Sequence, residues 1–497
     1  MSLALLKRDE LYIGGDWVRP ASRDTEAVLN PATGEVLGNA PLGGIAELDQ
    51  ALSAARDAFD KGPWPRMSFK ERAAVMARMH AVLARRMPEI QELTIAEAGA
   101  PDGLARSLQT VAPMKHLAYG IDLAARLEPI TSPAETGRPL VPGAPDYLGA
   151  TTTIREPVGV VAGITAYNFP FMLNLSKVTP ALLAGNALVL KPSPFTPFAA
   201  LLFGEVADEI GLPKGVLNVL TGGIDVSHAL TTREEVDLIS FTGSDKVASM
   251  IMAQAAPGLK RLVMENGGKS AMIVRHDANA EQAAMMAVLH MTAHCGQGCA
   301  LLTRYIVHNS LRAKFVETAK AMLKDWPVGP PSDPKFLTGP LIRESQRENA
   351  ERYVQYGLDS GARLVSGGRR PPHLKRGFFY EPTLFDDVDN ESKIAQDEIF
   401  GPIGVVIGFD SDEEAIRLAN KSKYGLGGAI YSGDRAKGYQ MALAIRTGSV
   451  WLNGGFGGDM SSFAPMGGYK RSGFGREYGP NWLNEYLVEK AVSFPIG

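Results

Sequence analysis

Short apolar runs alternate with helical stretches along the central part of this chain, and no other feature constrains the fold as strongly. Five runs typical of buried strands occupy residues 159–165, 187–190, 216–220, 238–242 and 270–274. A second series predicts strands at 403–409, 426–431 and 448–453, with a helix at 412–420. Strands that alternate with helices favour parallel sheets whose faces are covered by helices. The sequence therefore predicts an α/β fold with two units, each built on its own sheet.

The two ends of the chain have different patterns. Residues 48–59 and 69–98 have helical periodicity, and a Pro- and Gly-rich passage covers 129–150. The tail at 487–495 alternates weakly, as a strand does, and no partner strand is evident nearby in the sequence. We therefore expect this tail to pair with another chain or to cover a sheet edge. A chain of 497 residues is expected to form roughly three domains.

Charge and composition exclude several classes of function. A net charge of -3 gives no reason to expect nucleic acid or an anionic membrane as a partner. Two cysteines cannot build a disulfide framework, and no Cys/His spacing matches a metal site, so we expect no catalytic metal. Residues 157–176 carry no charge, but glycines and Pro170 interrupt them as in a strand followed by a helix. With no secretory signal evident, we expect a soluble, cytoplasmic protein.

The cysteines are Cys295 and Cys299, four residues apart. Upstream of them, Glu265 offers a carboxylate that can act as a base. A thiol nucleophile and a separate carboxylate suggest covalent chemistry followed by hydrolysis of the adduct. The alternative is that both cysteines are small core residues, since free cysteine is among the most buried residue types.

Three polar loops follow predicted strands, where ligands bind in open α/β sheets. They are Thr165-Ala166-Tyr167-Asn168-Phe169-Pro170, Lys191-Pro192-Ser193-Pro194 and Phe241-Thr242-Gly243-Ser244. The third loop would open a helix whose N-terminus can hold a pyrophosphate. Each loop taken alone is also compatible with an ordinary strand-to-helix turn. A P-loop is excluded, because Val263 stands where that pattern requires glycine.

Together these motifs resemble the aldehyde dehydrogenase superfamily over nearly the whole chain. The resemblance is carried by the order and spacing of Pro157-Val158-Gly159-Val160 with Asn168-Phe169-Pro170, Lys191-Pro192, Phe241-Thr242-Gly243-Ser244, Glu265 with Gly267-Gly268-Lys269, Gly296-Gln297-Gly298-Cys299, Glu398-Ile399-Phe400-Gly401-Pro402, and Pro465-Met466-Gly467-Gly468-Tyr469-Lys470 with Ser472-Gly473.

The resemblance implies a fold with three parts. A Rossmann-type cofactor domain would comprise residues 1–129 and 151–264, and an α/β catalytic domain residues 265–478. A small β oligomerisation arm would comprise 130–150 and 479–497 and would join copies of the chain into a homodimer or homotetramer.

The resemblance also assigns roles to single residues. Cys299 matches the family nucleophile, Glu265 the general base and Asn168 the side-chain donor of the oxyanion hole. Lys177 and Glu477 match polar residues that support proton movement away from the base. Cys295 matches no functional position, although a disulfide with Cys299 is conceivable if both lie on one helix, where their Cα atoms would be about 6 Å apart.

A nicotinamide cofactor, NAD or NADP, is implied by the same resemblance. Lys191 matches the adenosine-ribose contact, Ser244 a pyrophosphate contact and Glu398 the clamp on the nicotinamide ribose. The full set of expected cofactor contacts is Thr165, Ala166, Tyr167, Lys191, Ser193, Pro194, Gly243, Ser244, Glu398 and Phe400.

Three positions depart from the family pattern. Pro194 replaces a glutamate that many NAD-specific members place on the adenosine ribose, so we expect NADP to be accepted as well. Asn266 replaces the usual leucine after the base, where a polar amide can alter how Glu265 is oriented. Ala248 replaces a frequent glycine, a mild change in a helix.

The substrate class follows from the carboxylate and from the expected tunnel. Branches that transfer the acyl group to coenzyme A generally lack the base, so Glu265 favours hydrolysis to a free acid. An apolar tunnel would suit aromatic, terpenoid or medium-chain aldehydes, and its expected lining is Phe169, Met172, Leu173, Met291, Phe456, Met460 and Phe463. A semialdehyde dehydrogenase, a coenzyme A-acylating enzyme and a catalytically silent member of the fold remain alternatives.

Overall fold

The computed structural model describes residues 9–454, 461 and 463–496. Its α-helices are α1 (Ile45–Asp60), α2 (Phe69–Arg85), α3 (Met87–Ala98), α4 (Asp102–Ala105), α5 (Val111–Ala125), α6 (Pro170–Ala184), α7 (Phe198–Ile210), α8 (Ile224–Thr232), α9 (Asp245–Ala255), α10 (Ala280–Thr292), α11 (Asn309–Lys324), α12 (Glu344–Asp359), α13 (Lys393–Gln396), α14 (Asp412–Asn420) and α15 (Arg435–Ala444).

Its strands are β1 (Leu11–Ile13), β2 (Asp16–Val18), β3 (Thr25–Leu29), β4 (Val36–Pro41), β5 (Ile130–Thr131), β6 (Glu135–Gly137), β7 (Tyr147–Pro157), β8 (Val160–Ile164), β9 (Ala187–Lys191), β10 (Leu217–Val219), β11 (Leu238–Thr242), β12 (Arg261–Glu265), β13 (Ser270–Val274), β14 (Leu302–His308), β15 (Arg363–Ser366), β16 (Thr383–Asp386), β17 (Ile403–Phe409), β18 (Gly427–Tyr431), β19 (Ser449–Leu452), β20 (Gly473–Phe474) and β21 (Leu487–Pro495).

The first large sheet has eight strands in the order β2-β1-β10-β9-β8-β11-β12-β20. Strands β8 to β12 run parallel, and β1, β2 and β20 run antiparallel to their neighbours. The chain leaves β8 toward β9 on one side and later returns to β11 on the other side. Such a reversal of strand order opens a crevice at the carboxyl ends of the strands, where ligands bind.

The second large sheet has seven strands in the order β15-β16-β17-β14-β13-β18-β19, all parallel except β15. Its strands bury their apolar side chains against α10 and α11 on one face and against α12 and α14 on the other. The chain passes from the first sheet to the second through a short link, residues 266–269, between the end of β12 and the start of β13, and it returns from β19 to β20 of the first sheet. The predicted α/β fold with two separate sheets is confirmed.

Most predicted elements agree with the structure to within one or two residues. The segment predicted as one helix over 69–98 is two helices, because the backbone leaves helical geometry at Arg86 and Pro88 stands in the first turn of α3. Proline removes a backbone donor and disturbs the preceding turn, so it is tolerated at a helix start and not inside one. The sequence prediction missed this break.

The C-terminal tail pairs within its own chain, which agrees with the second of the two expected arrangements, the covering of a sheet edge. Strand β21 pairs antiparallel with β7 over nine residue pairs, from Leu487↔Pro157 to Pro495↔Gly149. The pairing was not evident in the sequence because the two strands are more than 300 residues apart. Strands β5 and β6 pair with the other edge of β7, so β21 is an edge strand of this arm sheet.

The predicted division into three domains stays a prediction, and the sheets refine it in two places. Strand β7 continues to Pro157, seven residues beyond the expected end of the arm. Residues Gly473–Phe474 pair with β12 of the first sheet and not with the second sheet.

Among the described residues, no helix is both long and apolar enough to cross a membrane.

Candidate active site

A cavity of about 320 Å³ lies where the carboxyl ends of β8 and β11 meet the link between the two sheets. It brings together residues that are far apart in sequence: Asn168 after β8, Thr242 to Ser244 after β11, Glu265 at the end of β12, and Cys299. Glu398, Phe400 and Glu477 also line it. Residues from both large sheets therefore contribute to one site.

Glu265 is a buried carboxylate. The residue is 4% exposed, and neither carboxylate oxygen receives a hydrogen bond from any residue that the structure describes. Burial raises the pKa of Glu265 well above its usual range, and the nearby charge of Glu477 raises it further. A carboxyl group with a raised pKa, free of hydrogen bonds and facing a cavity, is suited to accept a proton from water or from a thiol.

Two glycines in the link after Glu265 allow three loops to meet. A Cβ atom at Gly267 would lie 1.9 Å from Oε2 of Glu398, and one at Gly268 would lie 2.6 Å from the Cys299 carbonyl oxygen. The backbone N–H of Gly268 donates to Glu398 Oε1 at 3.0 Å. Any larger residue at either position would therefore push Glu398 or Cys299 out of place.

Cys299 lies on a tightly anchored loop. The side-chain oxygen of Gln297 accepts from the backbone N–H of Ile342 at 2.9 Å, and its amide group donates to the carbonyls of His294 and Pro340. Burial raises the pKa of the Cys299 thiol to about 12, and the charges of Glu398 and Glu265 add to the effect. The thiol is therefore protonated at neutral pH and needs a base to become a nucleophile.

Asn168 is held beside this loop by its own amide. Its Nδ2 donates to the carbonyl oxygen of Gln297 at 2.9 Å, and its backbone carbonyl accepts from Gln109 at 3.2 Å. A side-chain amide has two N–H groups, so one remains for a ligand in the cavity. Asn168 can thus donate to an oxygen that develops negative charge next to Cys299.

Lys177 and Glu477 form a buried ion pair behind the base. Lys177 Nζ contacts Glu477 Oε1, and both side chains are almost completely buried. The Ser176 hydroxyl donates to the same carboxylate oxygen at 3.2 Å. The charges of both partners act on Glu265, Glu477 raising its pKa and Lys177 lowering it. This ion pair therefore influences the affinity of Glu265 for a proton.

The opposite end of the cavity fits a nicotinamide nucleotide. The Thr242 hydroxyl is buried without a hydrogen-bond partner, and Ser244 caps α9 by accepting from Val247 N–H at 3.3 Å. Burial raises the pKa of Glu398 to about 7, the nearby charge of Asp245 adding to the rise. Ala166, Tyr167, Gly243 and Phe400 also line this end. Unsatisfied polar groups at a helix N-terminus suit the sugar and phosphate groups of such a cofactor.

Four expected cofactor contacts lie outside the cavity lining, on and around β9. Lys191 ends β9 and its carbonyl accepts from Thr165 N–H at 3.2 Å, so the loop with Ser193 and Pro194 lies next to the loop after β8. Burial lowers the pKa of Lys191 to about 8. Within the described residues, Lys191 forms no ion pair, and its Nζ donates to the Pro192 carbonyl at 3.3 Å.

The expected substrate tunnel is only partly correct. Phe169, Met172 and Leu173 line the cavity. Met291 does not: it is fully buried in the core of the second sheet, and its sulfur packs near Gly404 and Tyr305. Phe463 does not line it either, since it is 65% exposed and its ring lies 4.9 Å from that of Tyr119. Phe456 and Met460 are outside the described residues.

The two cysteines do not lie on one regular helix. Helix α10 ends at Thr292, and His294, Cys295 and Gly296 follow in left-handed conformation with φ of 47°, 55° and 74°. The spacing expected for a helix therefore does not apply to Cys295 and Cys299. Cys295 is fully buried in the apolar core of the second sheet. At the departure Asn266, Nδ2 donates to the Arg471 carbonyl at 3.1 Å, and the residue still lines the cavity.

Several residues of the cavity were missed by the sequence analysis. They are Leu108, His116, Ala300, Leu301, Gln346, Trp451, Met466 and Tyr478. Tyr478 directly follows Glu477, so the motif that identified Glu477 could have identified it. Leu108 and His116 come from a helical region that gave no local signal.

Among residues 9–454, 461 and 463–496, no group of His, Cys, Asp and Glu side chains is arranged to hold a metal ion.

Comparison with known proteins agrees with this geometry. Residues 17–492 match the model of the aldehyde dehydrogenase family. Betaine aldehyde dehydrogenase of Bacillus subtilis is 36% identical over 97% of this chain and 96% of its own length. Aminoaldehyde dehydrogenase 2 of Pisum sativum is 37% identical over 97% and 95% of the two chains.

Solved structures of aldehyde dehydrogenases are similar to this chain in both fold and sequence. An aldehyde dehydrogenase of Mycobacterium tuberculosis, complexed with NAD+, superimposes with a TM-score of 0.92 at 42% identity over 98% of both chains. Aldehyde dehydrogenase C of Pseudomonas syringae, complexed with NAD+ and octanal, gives 0.91 at 36% identity over 98% and 96%. The chain belongs to the aldehyde dehydrogenase family, and it is an oxidoreductase that oxidises aldehydes.

Proposed function

We propose that this enzyme converts an apolar aldehyde to the free carboxylic acid, with NAD+ or NADP+ as oxidant and Cys299 as nucleophile. The observation that carries the proposal is that Glu265, buried and without a hydrogen-bond partner, lines the same cavity as the Cys299 thiol. A base in that position is needed to hydrolyse a thioester, and it has no role if the acyl group leaves on coenzyme A.

In this mechanism the Cys299 sulfur bonds to the aldehyde carbon, and the thiol proton is released through the cavity to solvent. Asn168 and the backbone N–H of Cys299 hold the resulting oxyanion; losing one such donor typically lowers kcat by about 10²–10³-fold. The residues at the cofactor end of the cavity, Glu398 and the loop of Thr242 to Ser244, would hold a nicotinamide nucleotide, which would supply the hydride acceptor. Loss of the hydride from the tetrahedral adduct leaves a thioester on Cys299. Glu265 then takes a proton from water as the water oxygen attacks the thioester carbon, and it passes this proton to the departing Cys299 sulfur, so that the acid is released and the thiol is restored.

The apolar substrate class is supported by the lining of the cavity. Its described walls next to Cys299 include Leu108, Phe169, Met172, Leu173, Leu301 and Met466. The carboxylates among the described lining residues are Glu265, Glu398 and Glu477, all assigned to the reaction or the cofactor. The names of two relatives indicate cationic aldehydes, and a third relative binds octanal. The apolar lining favours an uncharged, apolar aldehyde such as octanal over a cationic aldehyde.

Use of NADP+ is supported by the loop after β9. Pro194 carries no charge to repel a 2′-phosphate, and the buried Lys191 has no carboxylate partner among the described residues. We expect kcat/KM for NADP+ to be within roughly tenfold of that for NAD+, and Pro194→Glu to lower it at least about tenfold while sparing NAD+. A wild-type enzyme with a strong preference for NAD+ would contradict this part of the proposal.

The overall function is tested with a panel of hexanal, benzaldehyde, betaine aldehyde and succinic semialdehyde. Reduced cofactor is measured with and without coenzyme A. We expect turnover on the first two without coenzyme A, its loss in Cys299→Ala, and its retention in the matched Cys295→Ala, since Cys295 lies in the core. A requirement for coenzyme A, or activity confined to the charged aldehydes, would overturn the proposal.

A further inference from the structure

His116 is a titratable side chain of the cavity lining that the mechanism does not use. It lies on α5, is 6% exposed, and its ring lines the same cavity as Cys299 and Glu265. Its neighbours along the helix, Met114 and Leu117, point into the core of the first sheet. The imidazole is therefore directed toward the substrate by the face of α5 on which it stands.

The ring of His116 is held in a fixed orientation. It stacks on Tyr478, with ring centroids 3.8 Å apart and an angle of 29° between the planes. Tyr478 is in turn fixed by an edge contact with Trp482 at 5.1 Å and by a hydrogen bond between its hydroxyl and Ser176. Such packing leaves His116 little freedom to turn toward another partner.

Nδ1 of His116 is buried and has no hydrogen-bond partner among the described residues. Within the same part of the chain, four residues of the cavity lining have such an unsatisfied buried polar atom, and the other three are Thr242, Glu265 and Asn266. Those three belong to the cofactor end and to the link that carries the base. Because a buried polar group without a partner is costly, an unsatisfied group on a residue that lines a ligand cavity indicates a partner on the ligand.

The chemistry of that partner follows from the neutral state of the ring. Burial lowers the pKa of His116 to about 4, so at neutral pH the imidazole is uncharged, with one nitrogen that donates and one that accepts. An uncharged imidazole does not attract a substrate carboxylate. A hydroxyl group can both donate and accept, and it therefore pairs with either tautomer.

The other walls indicate the shape of the group that carries this hydroxyl. Phe169, Trp451 and Tyr478 line the cavity with aromatic side chains, and the stacked His116 adds a fourth flat ring. Flat aromatic ligands pack well against such walls in offset or edge-on arrangements.

We infer that His116 is a specificity-determining residue, which recognises a hydroxyl group on the ring of an aromatic aldehyde. The inference rests on the proposed function, because it assumes that this cavity holds the aldehyde. It narrows the proposed apolar aldehydes to those with an aromatic ring and a polar substituent away from the reacting carbon.

The test compares hydroxy-, methoxy- and methylbenzaldehydes, each substituted at position 3 or 4, at a slightly acid pH that keeps the ring hydroxyl protonated. Hydroxyl and methoxyl groups have similar electronic effects on the aldehyde, so their comparison isolates hydrogen bonding. We expect wild-type kcat/KM to be about 10- to 100-fold higher for a hydroxy- than for the corresponding methylbenzaldehyde, because unpaired buried groups discriminate by such factors.

Two variants separate recognition from a structural role. His116→Phe keeps a flat ring for the stack on Tyr478 but cannot form the hydrogen bond, and it should reduce the hydroxy-to-methyl ratio to about one while activity on the methyl compound stays within a few-fold. His116→Gln should restore part of the ratio. Met114→Leu is the matched control, since Met114 lies on the same helix but packs in the core.

A wild-type enzyme without preference for the hydroxyl compounds would overturn the inference, and this measurement needs no variant. An unchanged ratio in His116→Phe would also overturn it. Oxidation of methylbenzaldehyde that depends on Cys299 would show that the proposed function stands even if this inference fails. If none of the benzaldehydes is oxidised while hexanal is, the inference alone is wrong.

Discussion

A carboxylate that is buried, free of hydrogen bonds and close to another acid is unusual, since such groups are normally paired or neutralised. Glu265 meets all three conditions. Burial without hydrogen bonds lowers the stability of the folded protein. The same features raise the pKa of Glu265 toward the range where it can take up and release a proton, so this loss of stability is explained if the residue serves in proton transfer.

Glu265→Gln should separate the two halves of the reaction. The amide cannot take a proton from water, so thioester hydrolysis should slow by at least about 10²-fold, the usual contribution of a general base. Formation of the first equivalent of reduced cofactor depends on Cys299 and Asn168 and should persist as a burst. Rapid-mixing absorbance measurements check this. Steady turnover at the wild-type rate would remove Glu265 from the hydrolytic step.

Glu398 should make the stability of the cofactor-free enzyme depend on pH. Its pKa is raised to about 7 from 4.5, mainly by burial, so the folded state binds the proton more tightly than the unfolded chain. The stability it contributes is complete below pH 4.5 and is lost as pH rises through 7.

Glu398→Gln lacks this titration and should be more stable than wild type by about 3 kcal/mol above the folded pKa, and nearly equal to it near pH 5. Denaturant unfolding at several pH values measures the difference. The control is Glu92→Gln, at an exposed position of α3. A constant difference at all pH values would mean that the carboxyl group does not titrate as its burial implies.

At the level of elements, no single strand forms the site. It forms where the ends of several neighbouring strands meet. The loops after β8 and β11 and the end of β12 lie side by side because these strands are neighbours in the first sheet. The link from β12 to β13 then carries the chain into the second sheet, which supplies Cys299 and Glu398. The catalytic arrangement is therefore a product of the junction between two sheets.

Met291 and Met172 provide a matched pair of methionines, which tests the difference between a core position and a position in the cavity wall. Met291 is on α10 in the core, and Met172 is on α6 in the cavity wall. Met291→Ala should lower the free energy of unfolding by about 2–4 kcal/mol without changing the order of preference among aldehydes. Met172→Ala should change kcat/KM for hexanal by roughly tenfold with a smaller loss of stability.

Unfolding curves and an aldehyde panel measure both effects in the two variants. A change of aldehyde preference in Met291→Ala together with unchanged preference in Met172→Ala would contradict the placement of the two side chains.

At the level of the whole molecule, the arm sheet presents a long free edge and exposed apolar side chains. Strand β21 is paired on one side only, and Val492 and Phe494 on it are 45% and 44% exposed. Ile130, Tyr147 and Leu148 on the facing strands are also exposed. Unpaired strand edges and clustered apolar side chains are typical of surfaces that bind another chain. This arrangement supports the proposed self-association.

The double variant Val492→Lys/Phe494→Lys should therefore shift the enzyme toward smaller species. Burying a charge in an apolar interface costs more free energy than the loss of the apolar contacts alone. We therefore expect the Kd of the dimer or tetramer to rise at least about tenfold. Sedimentation velocity measures the change. Leu443→Lys, which also replaces an exposed apolar residue, is the control. A monomeric wild-type protein would contradict the proposal.

The sequence determined the elements, because hydrophobic periodicity is local. The strand bounds 238–242, 270–274, 403–409 and 487–495 were predicted to the residue. It also supplied the candidate nucleophile and base, because the family resemblance proposed Cys299 and Glu265 for these roles before any fold was known.

Only the tertiary structure decided which side chains share the cavity. Phe169 and Met291 were equally apolar candidates in the sequence, yet one lines the site and the other fills the core. His116 gave no signal, since its meaning depends on Tyr478, more than 300 residues away. Periodicity fixes which face of an element is apolar, but what that face meets depends on long-range packing, and so the substrate side of the site could not be read from the chain alone.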